Sequence, residues 1–454
     1  MKTANVWWTV LAASFGFALV QLDVTIVNVA LPSIGRALHA DTSGLQWVVD
    51  AYALIFAALL LSAGFLGDLF GARRVYLAGI ALFAAASAAC GLAHTPIWLV
   101  AARAAQGLGA AAMLPCSLTL LNHAAHHDPQ LRAKAVGWWT ASGSITIAAG
   151  PIVGGLLLGA FSWRSIFLVN LPICALGALL TLKVEETVAE PEGRGLDPLG
   201  QVLAILAMGA ITGAVIEAKP LGFGNAIVIA AAVTGVIAAI GFVIVEQRSR
   251  APMLPPVLFS EGAFTPAVLY GVVVNLTFYG MVFVLALYLQ RVLGYSPLKA
   301  GLAYLPLTAT FFAINVFSGW WVGRAGSRIP MMAGALIDAF GFALLLPLTG
   351  SSAYWMMLPA FLLMPTGMGL GVPAMTTSVL ASVDKAQSGV ASGVLNAARQ
   401  AGGAIGVALF GALAGGDGQA IVAGLKGSAA IAVGLLLAAS LIAWWGIPTA
   451  LRKD

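Results

Sequence analysis

The sequence predicts an all-α polytopic membrane protein, built as two six-helix halves with two further helices between them. Three observations carry that prediction: a very apolar composition, fourteen apolar stretches of helix length, and a glycine–arginine pattern that occurs twice at one offset. Of 454 residues, 60% are hydrophobic and 9% charged, and the mean hydropathy is +0.97. Soluble domains carry about 25% charged residues, and no water-soluble core could bury so much apolar surface. Glycine is dense, at 53 residues. Small residues let helices approach closely where lipid removes the hydrophobic drive between them. The net charge of +5 fits basic loops on one membrane face rather than a nucleic-acid surface.

A crossing helix needs about 20 apolar residues. The first stretch, roughly 6–31, is too long for the apolar part of a cleavable signal and lacks a convincing cleavage site. Spans 2 to 6 follow at roughly 46–66, 75–93, 97–121, 134–159 and 165–183. The longest polar break, "VEETVAEPEGRGLD" at 184–197, precedes spans 7 and 8 at 198–217 and 225–245. A second break, 246–264, leads to spans 9 to 14 at 265–290, 298–322, 330–349, 355–379, 388–414 and 428–448. The expected units are therefore 1–183, a six-helix half; 184–264, a linker carrying two extra helices; and 265–454, a second half.

An even count puts both termini on one side. With both inside, cytoplasmic segments hold Lys2, Arg73, Arg74, Arg132, Lys134, Lys183, Arg194, Arg248, Arg250, Arg324, Arg328, Lys385, Arg452 and Lys453. The outside holds Arg36, Arg164, Lys219, Arg291, Lys299 and Lys426. Fourteen against six favours cytoplasmic termini. Arg103 and Arg399 lie within spans.

"GFLGDLFGARRVYLAG" (64–79) follows span 2, and "GWWVGRAGSRIPMMAG" (319–334) follows span 10. Gly64, Gly71, Arg73 and Gly79 match Gly319, Gly326, Arg328 and Gly334 at a constant offset of 255. The offset lays span 2 on span 10, so a six-helix unit occurs twice. Two similar halves facing each other is an arrangement of alternating-access transporters; a single irregular bundle is the alternative.

Further stretches are "LDVTIVNVALP" (22–32), "WVVDAYAL" (47–54), "RAAQGLGAAAMLP" (103–115), "GPIVGG" (150–155), "WRSIFLVNLPI" (163–173), "LGYSPLKAGLAYLP" (293–306) and "GVLNAARQAGGAIG" (393–406). In this order and on these spans, they resemble the fourteen-span drug:proton antiporters of the major facilitator superfamily, the EmrB/QacA type, and above all the methylenomycin-resistance type. The resemblance covers essentially the whole chain. It implies a major facilitator fold and proton-driven, alternating-access export of small hydrophobic, cationic drugs or antibiotics from a bacterial cytoplasmic membrane. One specific metabolite or antibiotic as cargo is the alternative, and a non-transporting sensor a remote one. The partners it implies are the drug, protons and membrane lipid, without a cofactor. A functional monomer is expected, and a periplasmic adaptor is left open.

Asp23 interrupts an apolar helix, where a charge costs about 2.5–3.5 kcal/mol. It lies roughly 12 Å from the outer end of span 1, at 1.5 Å per residue. In the resembling family, spans 1 and 4 line the central cavity, and an arginine at the position of Arg103 neighbours the acid. Burial favours a protonated acid and a nearby guanidinium favours the carboxylate. Such a pair can switch a proton; a static ion pair fixing register is the plain alternative. Asp50, a turn below the outer end of span 2, is either close to water or a second acid for protons or cationic cargo. The resemblance favours the second. Asp338 interrupts span 11, which the repeat lays on span 3, a peripheral helix in the resembling family, where a local hydrogen bond is as good a reading as a pathway role.

In "GDLFGARR", Gly67 and Gly71 permit a tight turn, and Asp68 can accept from a neighbouring helix N-terminus or pair with a cation. Arg73 and Arg74 can meet lipid phosphates or acids across the lobe. The resemblance makes this a cytoplasmic gate. In span 5, Pro151 bends the helix, while Gly143, Gly150, Gly154 and Gly155 allow close packing. The resemblance makes this pattern a mark of antiporters, and thus of export.

Cavity candidates are Asn28, Gln106 and Met113 in the first half, and Asn275, Phe278, Tyr279 and Tyr304 in the second, a mix that could re-pack around varied cargo. Arg399 is expected to support the second half or to meet headgroups. Cys90, Cys116 and Cys174 have no pairing or metal spacing. His123, His126, His127 and Asp128 read as a solvated loop, not a metal site. No Gly-Lys pair or H-E-x-x-H occurs, so no phosphate loop or zincin helix is expected. No enzyme is expected.

Overall fold

The computed structural model describes residues 3–125, 129–187, 197–249, 252, 254–260, 262–383 and 387–449. Lys2, Arg194, Arg250, Lys385, Arg452 and Lys453, on which the orientation partly rests, lie outside them, as do His126, His127 and Asp128.

The described residues are helical almost throughout. The first group is α1 (Thr3–Leu38), α2 (Thr42–Phe70), α3 (Ala72–Gly91), α4 (Pro96–Ala124), α5 (Pro129–Ala160), α6 (Ser165–Leu168) and α7 (Asn170–Thr181). Then come α8 (Pro198–Leu221) and α9 (Ala226–Arg248). The last group is α10 (Phe264–Leu287) with a π-helical turn (Tyr288–Val292), α11 (Pro297–Ala303), α12 (Leu305–Ala325), α13 (Arg328–Ala343), α14 (Leu358–Ala381), α15 (Ser388–Ala414) and α16 (Gly418–Gly446). Several starts are written in the sequence. Asp41, Thr95, Asp197, Ser296 and Asp417 each cap a helix by accepting from a backbone N–H, and proline follows three of them, where no N–H is needed.

Fourteen membrane spans are expected from sequence. By length and apolarity, eleven helices among the described residues qualify. A twelfth is α5, bent by 41° between Lys134–Ile147 and Ala149–Ala160. The bend falls where Pro151 removes the bond to the carbonyl of Ile147. Span 6 is the shorter apolar stretch Ser165–Thr181, and span 11, α13, has only 16 residues.

The packing repeats as the sequence does. α1 packs on α5, α2 on α4 and α3 on α4; in the second group α10 packs on α15, α12 on α14 and α13 on α14. Gly71 and Gly326 are the breaks after α2 and α12, at φ +92° and +70°. A Cβ on Gly79 would lie 2.9 Å from the carbonyl oxygen of Gly109, and one on Gly334 2.6 Å from that of Gly367. The matched glycines thus make the same turn and the same close approach. Each positive φ is costly for any other residue, about 1–3 kcal/mol. Gly71→Ala and Gly326→Ala are both expected to lower thermal stability by that order, measured on the purified protein in detergent.

We call the end bearing the start of α1 the terminal end, and the opposite one the far end. The first group has its own apolar core, including Tyr52, Phe56, Tyr76 and Phe83. A larger core joins the far parts of the first group, among them Ile26, Leu31, Val48 and Phe167, to the second group. The two groups are therefore packed together most closely at the far end.

Candidate functional site

Asp23 and Arg103 form an ion pair with side chains 0% and 1% exposed. Five helices build its shell. The Asp23 carboxylate accepts from Arg103, from the Gln106 amide at 3.3 Å and from Asn170 of α7 at 3.1 Å. Arg103 also donates to Val48 O of α2 at 3.0 Å and to Gln106 at 2.8 Å. Ser87 of α3 accepts from Gln106 at 2.7 Å and from Asn170 at 3.3 Å. The guanidinium lies over the Tyr52 ring, 4.4 Å from its centroid. A buried charge needs such satisfaction, since its solvation is lost. Asn170 lies in the stretch "WRSIFLVNLPI" that the resembling family shares, though its part in this shell is not legible there, and Ser87 carries no signal beyond being polar in an apolar helix.

The pair borders a narrow cavity between the two groups. Its walls include Asn28, Asp50, Tyr52 and Arg103 on one side, and Tyr279, Gln400, Gly403 and Val407 on the other. Arg103 lines it and Asp23 stands behind. Asp50 is fully buried, and neither of its carboxylate oxygens has a hydrogen-bond partner among the described residues. A buried carboxylate without a counter-charge is tolerated when it is protonated or when a cation reaches it.

Of the expected cavity residues, Asn28 and Tyr279 line this space. The others do not. Gln106 belongs to the ion-pair shell. Met113 is buried between α3 and α4, 2.9 Å from where a Cβ on Gly79 would be. Tyr304 donates to Val282 O and stacks on Phe361 inside the second group. Phe278 is buried and stacks with Phe311, and Asn275 turns back to Gly271 O. Aromatic and amide side chains look alike in sequence whether they fill a core or face a cavity.

The far end is closed by contacts between the groups. Gln46 of α2 donates to Val407 O at 3.1 Å and Ala408 O at 2.6 Å, and Gln290 of the π turn donates to Val29 O at 2.9 Å. Each group thus sends one glutamine to backbone carbonyls of the other. Beside them, α5 meets α11: a Cβ on Gly155 would lie 2.8 Å from Leu298 Cα, and one on Gly301 would overlap the Pro151 carbonyl. Gly150 and Gly154 instead face Thr25 and Ile26 of α1, and Gly143 faces Phe17. The glycines of span 5 therefore serve two seams, one within the first group and one between groups.

At the terminal end, Arg73 and Arg74 reach no acid of the second group among the described residues. Glu186, in the stretch after α7, accepts from Arg73 N at 2.9 Å and pairs with Arg74 at 3.6 Å, while Thr187 accepts from Ala72 N at 2.9 Å. The start of α3 is capped by the chain that follows α7, at the beginning of the linker. Gly67 is buried against Cys116 of α4, and Asp68 is exposed. Asp338 is buried against Gly367 of α14, and its carboxylate oxygens have no partner among the described residues, so the expected local hydrogen bond is not made there. Arg399 lays its stem on Gly271 inside the second group, with Nε unpartnered among the described residues.

The extra helices are also not idle. Trp47 donates to Glu217 and Gln201 to Ala58 O, tying α8 to α2, while Lys219 donates to Leu413 O and Gly415 O at the end of α15. α9 packs on α8 and is otherwise exposed over its apolar surface.

Comparison with known proteins fits this architecture. The chain is 39% identical over 405 residues to the multidrug resistance protein Stp of Mycobacterium tuberculosis, covering 89% of this chain and 75% of that one. It is 38% identical over 402 residues to the methylenomycin A resistance protein of Streptomyces coelicolor, covering 88% and 84%. Its fold matches the inward-open xylose transporter XylE from E. coli with a TM-score of 0.68 at 17% identity, over 99% and 98% of the two chains. Residues 13–407 match the profile of the Major Facilitator Superfamily. The chain is a multi-pass bacterial membrane protein and belongs to the Major Facilitator Superfamily, a family of transporters rather than enzymes.

Proposed function

We propose that the protein exports small hydrophobic drugs or antibiotics across the bacterial cytoplasmic membrane in exchange for protons, by alternating access. The observation that carries this reading is the pair of buried acids at the seam between the two groups. Asp23 is held by an arginine that lines the cavity, and Asp50 stands bare on the cavity wall. A cationic cargo or a proton can neutralise Asp50, and movement of Arg103 frees Asp23 for a proton. The resistance proteins among the relatives support drugs as cargo. A relative named for one antibiotic favours, as second reading, a single specific cargo on the same scaffold.

The accompanying topology is fourteen crossings: the eleven long apolar helices, the bent α5, the pair α6–α7, and α13. Residues 1–183 and 265–454 form the two rocking lobes, with 184–264 as linker and accessory pair, and both termini are cytoplasmic. The far end then faces outward, and the closed contacts there correspond to an inward-facing state. The proton gradient is the drive, with no cofactor, and the monomer is the working unit.

The test is efflux of cationic and neutral fluorescent dyes from cells, with and without an uncoupler. An uncoupler is expected to abolish export by the wild type. Asp50→Asn is expected to lose cationic dyes while retaining neutral ones. Efflux that persists in the uncoupled cell removes proton coupling.

A further inference from the structure

A second cavity, of about 380 Å³, opens at the far end, where the start of α2, the end of α8, the end of α15 and the π turn after α10 meet. Its charged wall is mostly basic: Lys219 of α8 and Arg291 of the π turn, against Asp41. Asp41 is already engaged, accepting from Gly44 N at 2.9 Å and from the Ser43 hydroxyl at 3.0 Å. Lys219 gives two bonds to the last carbonyls of α15, at 3.1 and 2.7 Å, and an ammonium has a third proton to give. Arg291 is the other cation, exposed at the mouth of the cavity. It is one of the last residues of a membrane helix and sits close to Gly35 of α1, and it has no hydrogen-bond or ion-pair partner among the described residues. Thr42 and Ser43, the first residues of α2, line the same space, beside the positive end of that helix's dipole. π-helical turns are rare and are found at functional sites.

We propose that this cavity binds a phosphate-bearing anion, and that its source is the headgroup of an anionic phospholipid. Arg291 and Lys219 would hold the phosphate. The level in the membrane favours a lipid. α2 begins at Thr42, α8 ends at Leu221 and the π turn ends at Val292, so the cavity lies where crossing helices meet headgroups. Phe223, 83% exposed on the turn after α8, marks the same level, since aromatic residues concentrate at the interface. Arginine and lysine give charge-assisted hydrogen bonds to phosphate oxygens, which a headgroup at this level presents. The anion would touch α2 of the first group, α8, and the π turn of the second group at once. It therefore binds the far-closed arrangement in preference to any in which these elements separate, and stabilises it. This inference depends on neither the direction of transport nor proton coupling.

The test uses the full-length protein in lipid nanodiscs, with thermal unfolding as the readout. Phosphatidylglycerol discs are expected to raise the wild-type midpoint by several degrees over phosphatidylcholine discs. Arg291→Gln removes an unpartnered cation. It is expected to be as stable as the wild type or more so in phosphatidylcholine, and to lose at least half of the phosphatidylglycerol increment. Lys299→Gln removes a cation from the same membrane edge that sits over Tyr295 outside the cavity, and is expected to keep the full increment. Millimolar inorganic phosphate in phosphatidylcholine discs separates the sources. No increment assigns the site to the lipid headgroup, and an Arg291-dependent increment of equal size assigns it to a soluble anion. An undiminished phosphatidylglycerol increment in Arg291→Gln, or none in the wild type, overturns the proposal.

Discussion

Asp23→Asn is expected to stop uphill export while leaving the protein foldable only at a cost. An amide keeps the shape of the side chain and can still accept from Gln106 or Asn170, but it removes the charge opposite Arg103. The guanidinium is then buried, 1% exposed, with no counter-charge. Removing one partner of a buried pair costs roughly 3–5 kcal/mol. Loss of transport alone would therefore be ambiguous, because an unstable protein also fails to pump. The double variant Asp23→Asn, Arg103→Gln separates the two effects. It deletes both charges together, and replacing a whole buried pair is often close to neutral. Thermal unfolding is expected to recover most of the single variant's loss in the double variant, while uphill efflux stays absent from both. If the double variant is stable and still concentrates drug against a gradient, the pair is structural and the proton is carried elsewhere.

Part of this site was legible in the sequence and part was not, for physical reasons. Asp23 and Arg103 stand out because ionised groups in apolar helices are costly, so their presence alone demands an explanation. The repeat was legible because glycine at a positive φ or at a backbone contact tolerates no substitute, so Gly71 and Gly326 keep their register. Asn170, Ser87 and Gln106 were harder. Each is a neutral polar residue that could equally have bonded its own helix, as Asn28 does with Val24 O. Gln46 and Gln290 gave no signal, because their partners are backbone carbonyls, present in every sequence. Met113 and Tyr304 show the opposite case: their character suits a cavity, and only packing shows that they lie inside a half in this structure. The role of α8 was hidden because a bridge between halves depends on neighbours hundreds of residues away.

The seam between α5 and α11 leads to the second large effect. Gly155→Leu is expected to hold the two groups apart at the far end and to abolish export without unfolding either group. A Cβ at Gly155 would lie 2.8 Å from Leu298 Cα and 3.1 Å from Pro297 O. These are backbone atoms at the start of α11, which cannot step aside as a side-chain tip can. The clash exists only while the far end is closed, so the open arrangement escapes it, and a clash of this kind shifts the population between states. Gly150 distinguishes a gate from plain packing, because a Cβ there would strike Thr25 and Ile26 of α1, within the first group. Gly150→Leu should therefore lower thermal stability, whereas Gly155→Leu should not. Gly159→Leu is the control on the same helix, since a Cβ there meets nothing within 4 Å. The opening can be read with Asn28→Cys, a cavity-lining position, because Cys90, Cys116 and Cys174 are buried. A membrane-impermeant thiol reagent applied outside cells is expected to label it at least about tenfold faster in Gly155→Leu, a factor equivalent to about 1.4 kcal/mol of shifted equilibrium. Unchanged labelling together with normal efflux in Gly155→Leu would mean that the α5–α11 contact is not the gate, and that the glutamines Gln46 and Gln290 close the far end without it.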